Sequence, residues 1–157
     1  MAKESMTRRA ADNAYLHRDF HISLKMALDY CHLYYGGEGV EQFLRQFAAR
    51  YFKPLREAVR AQGLAPLEEY FREIYAAEEA EVETRLENDT LTVRVPRCPA
   101  AAHLAGKGHE IPPYYDGTTT FVYEEICRGT GVTFVLDEYD RPTGRCVLRF
   151  IRGGEPQ

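Results

Sequence analysis

Apolar residues recur at helical spacing through the first third of the chain. Leu16, Phe20, Leu24, Ala27, Leu28 and Cys31 fall on one face of a helix predicted over residues 12–35. Asp12 or Asn13 is available as its cap, and Gly36-Gly37 ends it. A second stripe, Val40, Phe43, Leu44, Phe47, Tyr51, Leu55 and Val59, predicts a helix from about Glu38 to Gln62. Pro54 lies inside that stripe, so a kink or break is expected near Phe52, and Gly63 closes the helix. Pro66 opens a third helix to about Ala77, with Leu67, Tyr70, Phe71 and Ile74 facing inward.

The period changes from helical to two-residue after Glu79. Val82, Thr84 and Leu86 alternate with charged residues, Asn88-Asp89 supplies a turn, and Leu91, Val93 and Val95 alternate again, which reads as a hairpin. Residues 105–113 carry Gly and Pro at both ends and are expected to form an exposed, irregular loop. A helix over about Gly117 to Arg128 follows, and a second hairpin closes the pattern: Val132, Phe134 and Leu136, a turn at residues 140–144, then Cys146, Leu148 and Phe150. Two hairpins separated by a helix predict an α+β fold in which the N-terminal helices pack on one face of a four-stranded antiparallel sheet. A single domain is expected over residues 1–157, with a helical part at 12–77 and a hairpin-helix-hairpin part at 80–152.

Composition narrows the function classes. A chain of 157 residues, 45% hydrophobic, is long enough to bury a core without disulfide or metal staples. Its net charge of -4 argues against a nucleic-acid partner, whose phosphates ask for a basic face. No stretch approaches the roughly 18 apolar residues of a membrane span, and residues 1–13 lack the apolar run of a signal peptide, so a soluble cytoplasmic protein is expected. Cys31, Cys98, Cys127 and Cys146 form no CxxC pair, and free thiols are expected in a reducing compartment.

Chemistry concentrates at Arg97-Cys98-Pro99-Ala100-Ala101-Ala102-His103-Leu104, where a strand gives way to a helix. Pro99 fits the first helical position, which makes Cys98 the N-cap residue; the helix amides and dipole would then favour its thiolate. His103 and His109 follow close behind. In the first helix, His17 and His21 stand four residues apart, one above the other, at the spacing of metal ligands. Arg18 stands where the HExxH motif of zinc proteases has its glutamate, so protease chemistry is not supported. The sequence requires no cofactor, although a divalent metal held by His17 and His21 is possible. Tyr114 and Tyr115, beside Pro112-Pro113, are candidates to wall a small-molecule pocket. Cys146 reads as a packed strand residue, and Glu78, Glu79 and Glu81 read as a solvated helix end.

Three segments together resemble the L-2-amino-thiazoline-4-carboxylic acid hydrolase family: Tyr15-Leu16-His17-Arg18-Asp19-Phe20-His21, Arg97-Cys98-Pro99-Ala100 with His103-Leu104, and Gly144-Arg145-Cys146. The resemblance implies hydrolytic opening of a thiazoline ring on the way to L-cysteine. Such a reaction needs a nucleophile, a proton donor for the leaving atom and a cation for the substrate carboxylate. Cys98 would supply the first, His103 or His21 the second, and Arg18 or Arg97 the third, with His17, Tyr114 and Tyr115 as further substrate contacts. Cys98 and His103 are five positions apart, so a shared face depends on the cap geometry.

Two other readings use the same residues. One is a non-catalytic small-ligand sensor resembling the 4-vinyl-reductase type of domain, and the other is an interaction protein whose cysteines and histidines are merely packed. A homo-oligomer is compatible with all three.

Overall fold

A computed structural model describes residue 18 and residues 20–153. The helical part runs α1 (Phe20–Tyr51), α2 (Lys53–Gln62) and α3 (Ala65–Ala77). Gly36, at φ 67° and ψ -163°, interrupts α1 where the first helix was expected to stop, and the chain resumes helical geometry at once. Val40, Leu44 and Ala48 then repeat every four residues and are all buried. Pro54 sits in the first turn of α2, where its missing N–H costs no hydrogen bond, so the break falls at Phe52 as expected. Gly63 ends α2 at φ 78° and donates its N–H to the Val59 carbonyl at 2.9 Å.

The first hairpin is β1 (Glu83–Glu87) and β2 (Thr90–Val95), with Glu87 opposite Thr90. Asn88 takes the positive φ of 49° that so short a turn demands. α4 (Pro99–Gly106) and α5 (Gly117–Cys127) intervene before β3 (Val132–Asp140) and β4 (Arg145–Arg152). The sheet order is β1-β2-β4-β3, antiparallel throughout, so the two hairpins join through β2 and β4. This is the predicted α+β arrangement.

Alternation decides which face the helices cover. Leu91, Val93 and Val95 on β2, and Cys146, Leu148 and Phe150 on β4, are buried on the same side. Phe150 and Phe71 of α3 lie 5.7 Å apart at their ring centroids and are fully enclosed. Each such side chain contributes roughly 1.5–3 kcal/mol of burial. Leu86, expected to face inward on β1, is 38% exposed, because β1 is an edge strand and α3 reaches only as far as Thr84 through Arg72 and Glu68. Among the described residues no helix is long and apolar enough to cross a membrane.

Candidate functional site

Cys98 occupies the corner predicted for it. Its extended backbone (φ -71°, ψ 122°) caps α4, Pro99 stands in the first turn, and the Cys98 carbonyl accepts the first helical bond from the Ala102 N–H at 3.0 Å. The Cys98 N–H donates to the Thr143 carbonyl at 3.0 Å, tying the corner to the β3–β4 turn. Gly144 lies directly against it: a Cβ there would overlap the Cys98 Cβ, and the φ of 64° would itself disfavour any side chain.

The sulfur does not become the thiolate that the cap position alone implied. Burial pushes the Cys98 thiol above its ordinary value of 9.0, the Ala101 and Ala100 amides pull it back in part, and Glu78 pushes it up again. Desolvation therefore wins over the helix end, and the resting group is a neutral thiol.

Cys98 lines a cavity of about 220 Å³ enclosed by α1, α3, the first turn of α4 and α5. His21 of α1 and Glu78 at the end of α3 line the same cavity. The His21 Nε2 lies 2.8 Å from Glu78 Oε1, and their side chains are only 17% and 7% exposed. Tyr70, Tyr75, Tyr115 and Tyr123 line it together with Tyr51 and three phenylalanines. Burial raises the pKa of the Tyr70, Tyr75, Tyr115 and Tyr123 phenols, and the charge that Cys98 would carry raises those of Tyr75, Tyr115 and Tyr123 further. The cavity is thus walled by neutral phenols around a neutral thiol, with one imidazole–carboxylate pair.

His103 faces elsewhere. It lines an open cleft of about 470 Å³ with Arg18, Arg97 and Glu79, and this cleft shares Glu78 and Pro99 with the cavity. Its ring centroid is 6.2 Å from that of His21, so the two imidazoles approach one another from opposite sides of a common wall. Arg18 donates to Glu79 Oε2 at 3.0 Å and to the Glu78 carbonyl at 3.5 Å. Neither arginine lines the cavity.

Tyr115 is buried and on the cavity wall, whereas Tyr114 is used structurally. The Tyr114 hydroxyl donates to Asp29 Oδ1 at 2.6 Å, its ring stacks on His32 at 4.3 Å, and burial with the Asp29 charge pushes its pKa up to about 12. Desolvation raises the Asp29 carboxyl, but Lys25 and Tyr114 outweigh it and the net shift is downward, with His109 adding to the decrease. His17 lies outside the described residues, and with it the His17–His21 metal pair; among the described residues no group of three or more His, Cys, Asp or Glu could hold a metal ion. All four cysteines are unbonded, and burial pushes the thiols of Cys127 and Cys146 up to about 12.

Glu78 corrects the solvated reading of the helix end. Its side chain is enclosed with His21, while Glu79, one residue later, is 82% exposed. The signal was present in the spacing: Glu78 follows Phe71 by seven residues and Ile74 by four, which continues the inward stripe of α3. Tyr70 belongs to that stripe as well, and Tyr75 and Tyr123 lie on predicted helices whose apolar faces pointed to packing alone. Comparison of the chain with family models, with curated proteins and with solved structures finds no match.

Proposed function

We propose that the protein is a Cys98-dependent hydrolase of small cyclic amidines, of the kind that open L-2-amino-thiazoline-4-carboxylate on the way to L-cysteine. The supporting observation is the meeting of Cys98, His21 and Glu78, distant along the chain, on one cavity large enough for a single five-membered ring and its substituents. Glu78 holds the His21 imidazole by one nitrogen, as an orienting carboxylate does in a nucleophile–base–acid set.

In this reading the Cys98 proton passes to His21 as the sulfur bonds to the electron-poor ring carbon, and the C=N electron pair moves to the ring nitrogen, which takes that proton. The ring C–S bond then breaks. Its electrons leave with sulfur, which takes a proton from the exocyclic nitrogen and departs as a thiol, leaving an isothiourea on Cys98. Water adds to that carbon and expels the Cys98 thiol. The sum is one ring and one water to one carbamoyl-amine bearing a free thiol. A neutral resting thiol needs this proton transfer, which makes His21 the base. The chemistry also needs reduced cysteine, which fits a cytoplasmic setting.

The neutral thiol and aromatic lining equally suit a binding module of the ligand-sensor type, with saturable binding and no consumption of ligand. Thiol release from 2-aminothiazoline and from its 4-carboxylate, followed with a chromogenic thiol reagent, separates the two. Turnover of either ring that disappears in Cys98→Ala is the expected result. Wild-type rates in that variant would remove Cys98 from the chemistry, and binding without thiol release in the wild-type protein would leave the sensor.

A further inference from the structure

The charges around the cavity restrict what can enter it. Among the described residues lining it, the side chains able to carry charge near neutral pH are Glu78 and His21. With the Glu78 carboxylate ionised, this pair, held at 2.8 Å, sums to -1 with a neutral imidazole and to zero with a protonated one. Cys98 and the five lining phenols contribute no cation in any protonation state. The guanidinium groups of Arg18 and Arg97 line the cleft instead, and that of Arg18 is paired with Glu79.

A carboxylate entering such a space gives up its hydration and meets no net positive charge from the described lining, which is the costly way to bury an ion. A planar cation meets the reverse conditions. Glu78 offers it a carboxylate, and the aromatic lining offers π surface and phenol groups of the kind that attract cations and accept N–H groups. We propose that the cavity selects planar amidinium-type ligands and rejects their carboxylate counterparts. The substrate of the hydrolase would then be a cyclic amidine whose ring carries no carboxylate inside the cavity. The inference deepens the reading given above and rests on it for the reacting bond, but not for the charge preference.

Benzamidinium and benzoate share a planar shape, differ in charge and contain no ring that such a hydrolase opens, so they isolate the charge preference from turnover. Isothermal titration of the full chain is expected to give benzamidinium a dissociation constant at least tenfold below that of benzoate. Benzamidinium should also protect Cys98 from iodoacetamide, which locates it. In Glu78→Gln the preference is expected to shrink at least threefold while the circular-dichroism spectrum stays that of wild type, which controls for folding. Benzoate binding as tightly as benzamidinium, or neither ligand protecting Cys98, overturns the proposal. Benzamidinium selectivity without thiol release from 2-aminothiazoline upholds the inference and removes the hydrolase. Thiol release with no charge preference does the opposite.

Discussion

The cavity under Cys98 and the cleft beyond Glu78 and Pro99 share a wall, yet they place similar side chains in different physical conditions. Glu78 and Glu79 are consecutive, and each meets a basic partner at about the same distance, 2.8 Å to His21 and 3.0 Å to Arg18. The side chain of Glu78 is 7% exposed and that of Glu79 is 82% exposed. Water and salt screen the outer pair until it is worth little, whereas the inner pair sits where an unmatched charge is expensive. Position relative to solvent, more than residue type, separates a group that can direct a reaction from one that decorates a surface.

The largest expected effect comes from disturbing the wall that holds Cys98. Gly144→Ala forces a methyl group onto the Cys98 Cβ at a φ of 64°. Backbone strain and overpacking together are expected to cost about 2–5 kcal/mol, lowering the thermal midpoint by roughly 5–15 °C. Gly153→Ala is the matched control, with a φ of 76° and nothing within 4 Å of the added Cβ, so it carries the strain alone. Equal shifts in the two variants would show that Gly144 is not packed against the corner.

Glu78→Gln should act on chemistry more than on folding. The amide keeps a hydrogen-bonding group beside His21 and removes the charge that favours its protonated form, so kcat/KM on a cyclic amidine is expected to fall about 10- to 100-fold. Glu79→Gln should change it less than about twofold, as expected for a screened surface pair. The pH profile sharpens the contrast. Because burial holds the Cys98 thiol above its ordinary 9.0, alkylation of Cys98 in the wild-type protein should still be rising as the pH passes 9, the thiolate appearing only as the proton is lost. A plateau below pH 8 would mean that the helix-end amides outweigh desolvation after all.

The fold was readable because its signals are local. Pro54 and Pro66 mark helix starts, Gly36 and Gly63 mark interruptions, and the alternation of Leu91, Val93 and Val95 with the matching run at Cys146, Leu148 and Phe150 defines one buried face. The Cys98 corner followed from Pro99 by the same local rule. Its protonation did not, because the burial that raises the thiol comes from packing distant in sequence: Tyr75, Tyr115 and Tyr123 line the same cavity from α3, from the residues before α5 and from α5 itself. The five-residue step from Cys98 to His103 hinted at their separation, since the helix carries them to different hollows. Tyr114 and Tyr115 are adjacent in sequence and alike in composition; only the packing of α1 against their loop decides that one bonds Asp29 and the other faces the cavity.

The smallest effect is expected in the cleft, and it is the one that tests whether the two hollows work together. Arg97 is exposed on the cleft, and Arg18 is held there by Glu79 and the Glu78 carbonyl. If the reacting ring occupies the cavity alone, Arg97→Ala removes no contact to it, and KM for 2-aminothiazoline should move by less than about twofold, the range of a screened surface charge. A substrate long enough to pass the wall at Glu78 and Pro99 would behave differently, because a carboxylate emerging into the cleft could pair with Arg97 while its ring stays beside Cys98. Comparing KM for 2-aminothiazoline and its 4-carboxylate in wild type and Arg97→Ala separates the cases. A rise of tenfold confined to the carboxylate, with kcat unchanged, would assign the cleft to substrate recognition; unchanged constants for both would confine recognition to the aromatic side of the wall.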